Sequence, residues 1–212
     1  MELIGLLDSP YVRRVAIALL ALRQPFTHRP VSVFRGYDAF RAINPVVKAP
    51  TLRLADGTLL MDSALMLQYV AALQGQDRLL PSAPDALAPA LHRVGLAQAA
   101  CEKTAQIVYE RGLRPAEKQH QPWIDRVSSQ LQAAYAALEA SLARSPLSTA
   151  SCLDLGQAGI SAAVAWYFSR QMLPALLDPQ QHPYLVALSA AAETLPEFRA
   201  APYGEGPVLA LS

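Results

Sequence analysis

Ser9, Ser63 and the Asp62 that precedes Ser63 are the residues whose types and places suit chemistry. Ser9 stands directly before Pro10, the pairing of an N-cap with proline at the first helical position. Val12, Val15, Ala16, Leu19 and Leu20 follow at the spacing of a helix face. Ser63 opens a second such run, with Leu65, Met66, Tyr69, Val70 and Leu73 on one apolar face and Gly75 at its end. A hydroxyl at such a boundary accepts a hydrogen bond from a free amide of the first turn, and on local spacing alone both serines read as simple caps. The other reactive residue types give less. Cys101 and Cys152 lie far apart and form neither a CxxC motif nor a metal-ligand cluster with His28, His92, His120 or His182, so no metal is expected. Both cysteines read as buried thiols of a reducing compartment.

The elements that must position these residues follow from pattern. Glu2 to Leu7 is a short apolar run that reads as a buried strand. Phe26 to Val33 reads as a second strand, in which Pro30 argues for an edge position or a bulge, and His28 is a strand residue without a chemical role. Gly36 opens a short helical stretch, Tyr37 to Ile43. In Thr51 to Asp62, Leu52 and Leu54 alternate with Thr51 and Arg53, and Asp56-Gly57 suits the positive backbone angles of a tight two-residue turn, so two antiparallel strands are expected ahead of the Ser63 helix. The order is strand, helix, strand, short helix, hairpin, helix. Pro50 lies just ahead of the hairpin, and nothing local makes Ala49-Pro50 cis, since only about 5–6% of such bonds are.

With 212 residues the chain makes one large domain or two small ones, and 52% hydrophobic residues fill a core. A net charge of +1, from 18 basic and 17 acidic side chains, gives no basic field for nucleic acid or an anionic membrane. The start of the chain does not read as a signal peptide, because the run from Val12 to Leu22 is short and carries Arg13 and Arg14. A cytoplasmic protein is the expectation.

Between Gly75 and Pro89 the composition shifts, with Pro81, Pro84 and Pro89 breaking any long helix, which places a linker over residues 77–88 between domains at 1–76 and 89–212. Beyond it everything reads as helical. Leu87, Leu91, Val94, Cys101, Ala105 and Val108 form one face, and Ile124, Val127, Leu131, Tyr135, Leu138 and Leu142 form another after Pro122. Ser151 to Arg170 is apolar on nearly all sides, the mark of a central, buried helix. Ser151 with Asp154 is a capping-box variant and is expected to be structural.

Asn44-Pro45, Lys48-Ala49-Pro50 and Asp62-Ser63, in that order, resemble the glutathione-binding half of the glutathione transferases, and Ser9 falls where that family keeps the residue that meets the glutathione sulfur. The S-x-x-D signature at Ser151, His182-Pro183-Tyr184-Leu185 and Leu195-Pro196-Glu197-Phe198 are similar to the second half of the same family, so the resemblance covers almost the whole chain. Its start, Ser9-Pro10-Tyr11-Val12-Arg13, is most like the bacterial serine-type group. The resemblance implies an α/β thioredoxin-like N-terminal domain (βαβαββα) followed by an all-α domain, a cis Ala49-Pro50 bond, glutathione as co-substrate and a homodimer. It implies a thiol partner in Ser9, backbone pairing at Ala49 beside Lys48 and Pro50, an ammonium site at Asp62 and a carboxylate site at Ser63. Arg35 would meet the glycine carboxylate. A small hydrophobic electrophile would lie among Tyr11, Thr104, Val108, Tyr109 and Trp123.

The chemistry so implied is feasible. Lowering a thiol from about 8.5 by roughly two units costs about 2.7 kcal/mol. A hydroxyl hydrogen bond to an anion supplies roughly 1.5–3 kcal/mol, and a helix N-terminus about 0.3–1. Ser9 and the helix behind it therefore suffice. The thiolate would attack an electrophile or reduce a hydroperoxide. No cysteine lies in the first domain, so disulfide-forming chemistry lacks its nucleophile. A non-catalytic binding or assembly module on the same fold is the alternative, against which stands the joint presence of Ser9, Pro50, Asp62 and Ser63.

Overall fold

The structure, a computed structural model, describes residues 1–211. Its first half is a four-stranded sheet in the order β2-β1-β3-β4, built from β1 (Glu2–Ile4), β2 (Thr27–Arg29), β3 (Thr51–Arg53) and β4 (Leu59–Met61). β1 pairs parallel to β2 and antiparallel to β3, and β3 pairs antiparallel to β4. Helices α1 (Pro10–Ala21), α2 (Tyr37–Ile43) and α3 (Ser63–Leu73) complete the βαβαββα order. The strands are shorter than the pattern predicts, because β1 stops at Ile4, before Gly5, and β2 at Arg29, ahead of Pro30. As Pro30 requires, β2 is an edge strand.

The hairpin forms, but not with a two-residue turn. The Leu54 amide donates to the Thr58 carbonyl at 2.9 Å and the Gly57 amide to the Leu54 carbonyl at 3.1 Å, and Gly57 is at φ 88°. This is the longer hairpin loop in which glycine alone takes the left-handed position. The Asp56 carboxylate instead accepts the Thr58 amide at 2.9 Å.

The second half is helical: α4 (Pro84–Leu113), α5 (Gln121–Arg144), α6 (Cys152–Met172), α7 (Pro183–Glu193) and α8 (Pro196–Ala200). α4 starts at Pro84 and runs through Pro89, so residues 84–88 of the expected linker are helix and Pro89 does not break it. Pro89 lies early in the helix, where it removes one amide of the ladder. The segment before α4 is fastened to α6. Asp77 accepts the amides of Leu79 and Leu80 and the side chain of Gln157, and the Leu79 carbonyl accepts the Gln157 amide at 2.8 Å. Gly156, at φ 60°, makes that approach possible, since a Cβ there would stand 2.7 Å from the Leu79 oxygen. The pattern of the sequence does not show this kink.

α6 is buried almost throughout, as its all-round apolar pattern predicts. At its start Ser151 accepts the Asp154 amide at 3.2 Å, while Asp154 takes the Ser151 hydroxyl rather than its amide, a shortened capping box. α1 packs on α3 within the first half and on α6 and α8 of the second. It is therefore buried on nearly every side, Arg13 and Arg14 included, and not on the single face its apolar spacing predicts. No helix is long and apolar enough to cross a membrane among the described residues.

Candidate functional site

Ser9 caps α1. Its Oγ accepts the Val12 amide at 3.4 Å, and this use of a lone pair leaves the hydroxyl proton free to be donated. No other recorded bond engages that proton among the described residues. The oxygen sits at the amino end of α1, where the helix field favours negative charge.

Across from Ser9, the loop from Asn44 to Pro50 is held from beneath. Asn44 is buried; its amide nitrogen donates to Thr51 Oγ1 at 2.8 Å and its carboxamide oxygen accepts the Val46 amide at 3.0 Å. Thr51 Oγ1 in turn donates to the Lys48 carbonyl at 2.7 Å. Thr51 is wholly buried, though strand alternation with Leu52 would expose it. The Ala49-Pro50 bond is cis. Val47 has φ 52°, a left-handed angle rare for a β-branched residue, and Asp62 has φ 70°. Strain of this kind gathers where a site must hold a set geometry.

Asp62 and Ser63 exchange the roles that spacing gives them. Asp62 is the N-cap of α3, accepting the Ala64 amide at 2.8 Å. Ser63 is the first helical residue, is buried, and accepts a hydrogen bond from Arg14 Nη1 at 3.0 Å. The sequence pattern favours Ser63 as cap because a serine before an apolar run is its usual mark; the neighbouring aspartate suits the place equally well.

Ser9, Lys48, Ala49, Pro50, Asp62 and Ser63 line one cleft between the two halves, and it has two lobes. The polar lobe, about 480 Å³, is walled by Pro50, Asp62 and Ser63 on one side and by Gln98 and Glu102 of α4 on the other. The apolar lobe, about 500 Å³, has Ser9 and Asp8 at its base and Val33, Phe34, Val108, Tyr109 and Phe168 around it. Tyr11, Lys48 and Ala49 line both. Tyr11 is pushed up from its ordinary value by burial, so its hydroxyl stays protonated. Asp8 is also raised, by burial and the nearby Glu205 carboxylate, against the pull of the Ser9 amide. Tyr109 meets Phe34 edge to face at 5.6 Å, joining α4 to the loop after β2 across the apolar lobe.

Among the residues expected around the electrophile, Tyr11, Val108 and Tyr109 line the apolar lobe. Thr104 does not. It is wholly buried, with its hydroxyl 2.6 Å from Ser169 Oγ, which also accepts from the Tyr135 hydroxyl at 2.7 Å. Trp123 is exposed and lines neither lobe. Arg35 is exposed and paired with Glu205, which holds that carboxylate below its usual range; it lines neither lobe. Sequence reasoning missed Phe168, Met172 and Tyr203, which close the apolar lobe from α6 and the C-terminal segment. It also missed Gln98 and Glu102, which lie on α4 toward the polar lobe.

His28 has a part in this arrangement. Its Nδ1 accepts the Val208 amide at 3.0 Å and its Nε2 lies 2.8 Å from the Gly5 carbonyl, which fixes the neutral ring with its proton on Nε2. The ring therefore ties the C-terminal segment, which carries Tyr203, to the first half. Both cysteines are free and buried, and burial pushes the Cys101 thiol up to about 12, far from a reactive thiolate.

Residues 3–78 match the family described as Glutathione S-transferase, N-terminal domain. The four-stranded thioredoxin-like half and the helical half together make the glutathione transferase fold. It is similar to a glutathione S-transferase from Methylobacterium radiotolerans, solved in complex with glutathione sulfonate: 26% identity, 97% of this chain and 96% of that one covered, TM-score 0.85. A glutathione transferase family member from Pseudomonas fluorescens, solved with bound glutathione, is 27% identical over 96% of this chain and 98% of its own, with a TM-score of 0.80. The uncharacterized GST-like protein YibF of Escherichia coli (strain K12) is 25% identical over 191 residues, 86% of this chain and 89% of that protein.

Proposed function

We propose that the protein binds glutathione across the two lobes and activates its thiol for attack on hydrophobic electrophiles. The observation that carries this reading is the free proton of Ser9, held at a helix N-terminus in the wall of the apolar lobe, which shares Tyr11, Lys48 and Ala49 with the polar one. The γ-glutamyl end lies in the polar lobe. Its carboxylate meets Ser63 and the first amides of α3, and its ammonium meets Asp62. The cysteinyl backbone pairs with Ala49, and the glycine end runs toward Lys48. Ser9 donates to the thiolate as the thiol loses its proton to solvent. The sulfur then forms its bond to the electrophilic carbon of a molecule in the apolar lobe, and the leaving group departs with the bonding pair.

The glutathione-bound relatives support the first step, and the apolar lining supports the second. The reading includes a cytoplasmic location and a homodimer, the second of which sedimentation of the purified protein tests directly. Calorimetric titration with glutathione, followed by turnover of reactive aryl halides and of an organic hydroperoxide, tests the activity. Binding with turnover upholds it. Binding without turnover would make the protein a glutathione carrier, and absence of binding would leave an assembly module on the same fold.

A further inference from the structure

Among the described residues, the lining of the apolar lobe holds two charged side chains, Asp8 and Lys48, and they are placed differently. Lys48 is exposed and also lines the polar lobe, and on the glutathione reading its charge meets the glycine carboxylate. Asp8 is half-buried, stands next to Ser9 and lines the apolar lobe only.

The charged and titratable groups that act on Asp8 or feel its charge come from three directions. Burial and then the Asp8 charge push up the phenols of Tyr109, on α4, and Tyr203, beyond α8, so both stay protonated. Glu205 is a second carboxylate close by, and the nearby cation, Arg35 of the loop after β2, is paired with Glu205. Two carboxylates and one guanidinium leave this end of the lobe net negative. The rings of Phe34, Tyr109, Phe168 and Tyr203 make up much of the remaining wall. Aromatic faces attract cations, as a carboxylate does. An anion entering the same space would lose its hydration and gain no counter-charge.

We propose that Asp8 sets the charge of the second substrate: the apolar lobe takes neutral and cationic aromatic electrophiles and excludes anionic ones. The apolar wall separates molecules of similar size poorly, so the repulsive group in it supplies the specificity. This inference rests on the glutathione reading above, in which the thiolate at Ser9 adds a further negative charge beside the same carboxylate.

The test uses three chlorodinitrobenzenes that carry, opposite the chlorine, a sulfonate, a sulfonamide or a trimethylammoniomethyl group. Each kcat/KM is divided by the rate of the same compound with free glutathione in solution, which removes differences in intrinsic reactivity. In the wild type the ammonium compound should exceed the sulfonate by about 100-fold, with the neutral sulfonamide between them. In Asp8→Asn that span should shrink by about 10-fold or more, the sulfonate gaining and the ammonium compound losing relative to the sulfonamide. An equal change in all three would mean that Asp8 acts on the thiol or the fold and not on the electrophile, and would overturn the proposal. If Asp8→Asn does not fold, the wild type decides. An apolar wall without a fixed charge penalises both ions alike, so an ammonium compound no better than the sulfonate refutes the proposal and a clear preference for it upholds it. A protein that conjugates none of the three would overturn the function proposed above and this assignment with it. One that conjugates all three without regard to charge would overturn this assignment alone.

Discussion

The polar and apolar lobes share Tyr11, Lys48 and Ala49 but are built by different means. One wall of the polar lobe is two short stretches of chain, Lys48 to Pro50 and Asp62-Ser63, whose groups are each fixed from behind. Asn44 and Thr51 hold the Lys48 carbonyl, the Ala64 amide holds Asp62, and Arg14 holds Ser63. The apolar lobe is walled by side chains from segments far apart, among them Val33, Phe34, Val108, Phe168 and Tyr203, which meet only by packing. Polar groups with set partners recognise one ligand closely, whereas an apolar wall distinguishes poorly between molecules of similar size. On the proposed reading the constant reactant belongs to the polar lobe and the variable one to the apolar lobe, which Ser9 lines.

Substitutions on either side either keep the lobes separate or break the division. The largest effect belongs to Ser9→Ala. Turnover should fall about 10- to 100-fold, the worth of one hydrogen bond to an anion, with glutathione affinity nearly unchanged. Unchanged turnover in a steady-state conjugation assay would refute the role of Ser9. Asp62→Ala comes next. It should weaken glutathione by about 10-fold, through loss of a charged contact, and destabilise α3 by about 1 kcal/mol through loss of its cap, without altering the electrophile KM. A changed electrophile KM would mean that the lobes are coupled.

Tyr109→Ala should do the reverse. It removes the edge contact with Phe34, worth about 0.5–1.5 kcal/mol, and should change the electrophile KM a few-fold while calorimetry finds the same glutathione affinity. Asp154→Ala lies outside both lobes. It removes the carboxylate that accepts the Ser151 hydroxyl, and should cost about 1 kcal/mol of stability and lower the melting temperature by about 2–4 °C, with neither ligand affected; a variant that melts like the wild type would contradict the capping role.

The smallest effect is that of pH on His28. Burial depresses its folded value below the unfolded 6.5, against the pull of the Gly5 carbonyl. The stability it contributes is present above about pH 6.5 and lost as pH falls through the folded value, because protonation removes the acceptor of the Val208 amide. Melting curves should show this slope in the wild type and a shallower one in His28→Gln.

The same contrast governs how much of the molecule is legible in its sequence. The fold is, because helical spacing, the Ser9-Pro10 start and the Asp-Gly hairpin are local signals. The groups on that wall of the polar lobe fall in two short runs on either side of the hairpin, and Ser9, Ala49, Pro50, Asp62 and Ser63 do come together at one cleft. Local pattern does not show what lies behind them. Arg13 and Arg14 look like solvated charges, and Thr51 looks like the outer face of a strand, because burial there comes from the second half packing over α1 and from the loop folding under β3. Thr104 carries the opposite lesson. Helical spacing puts it on the inner face of α4, but a hydroxyl buried there pairs with Ser169 and Tyr135 in the core rather than facing a ligand. Phe168 and Tyr203 gave no signal, since the lobe they close exists only once the helices are packed.

The most direct test of the account is the ionisation of glutathione's thiol in the binary complex, followed by thiolate ultraviolet absorbance against pH for the wild type and Ser9→Ala. The account predicts a thiol bound below its free value of about 8.5 that returns toward it when Ser9 loses its hydroxyl. A complex of full affinity whose thiol titrates as in solution, or one whose lowered value survives Ser9→Ala, would contradict it.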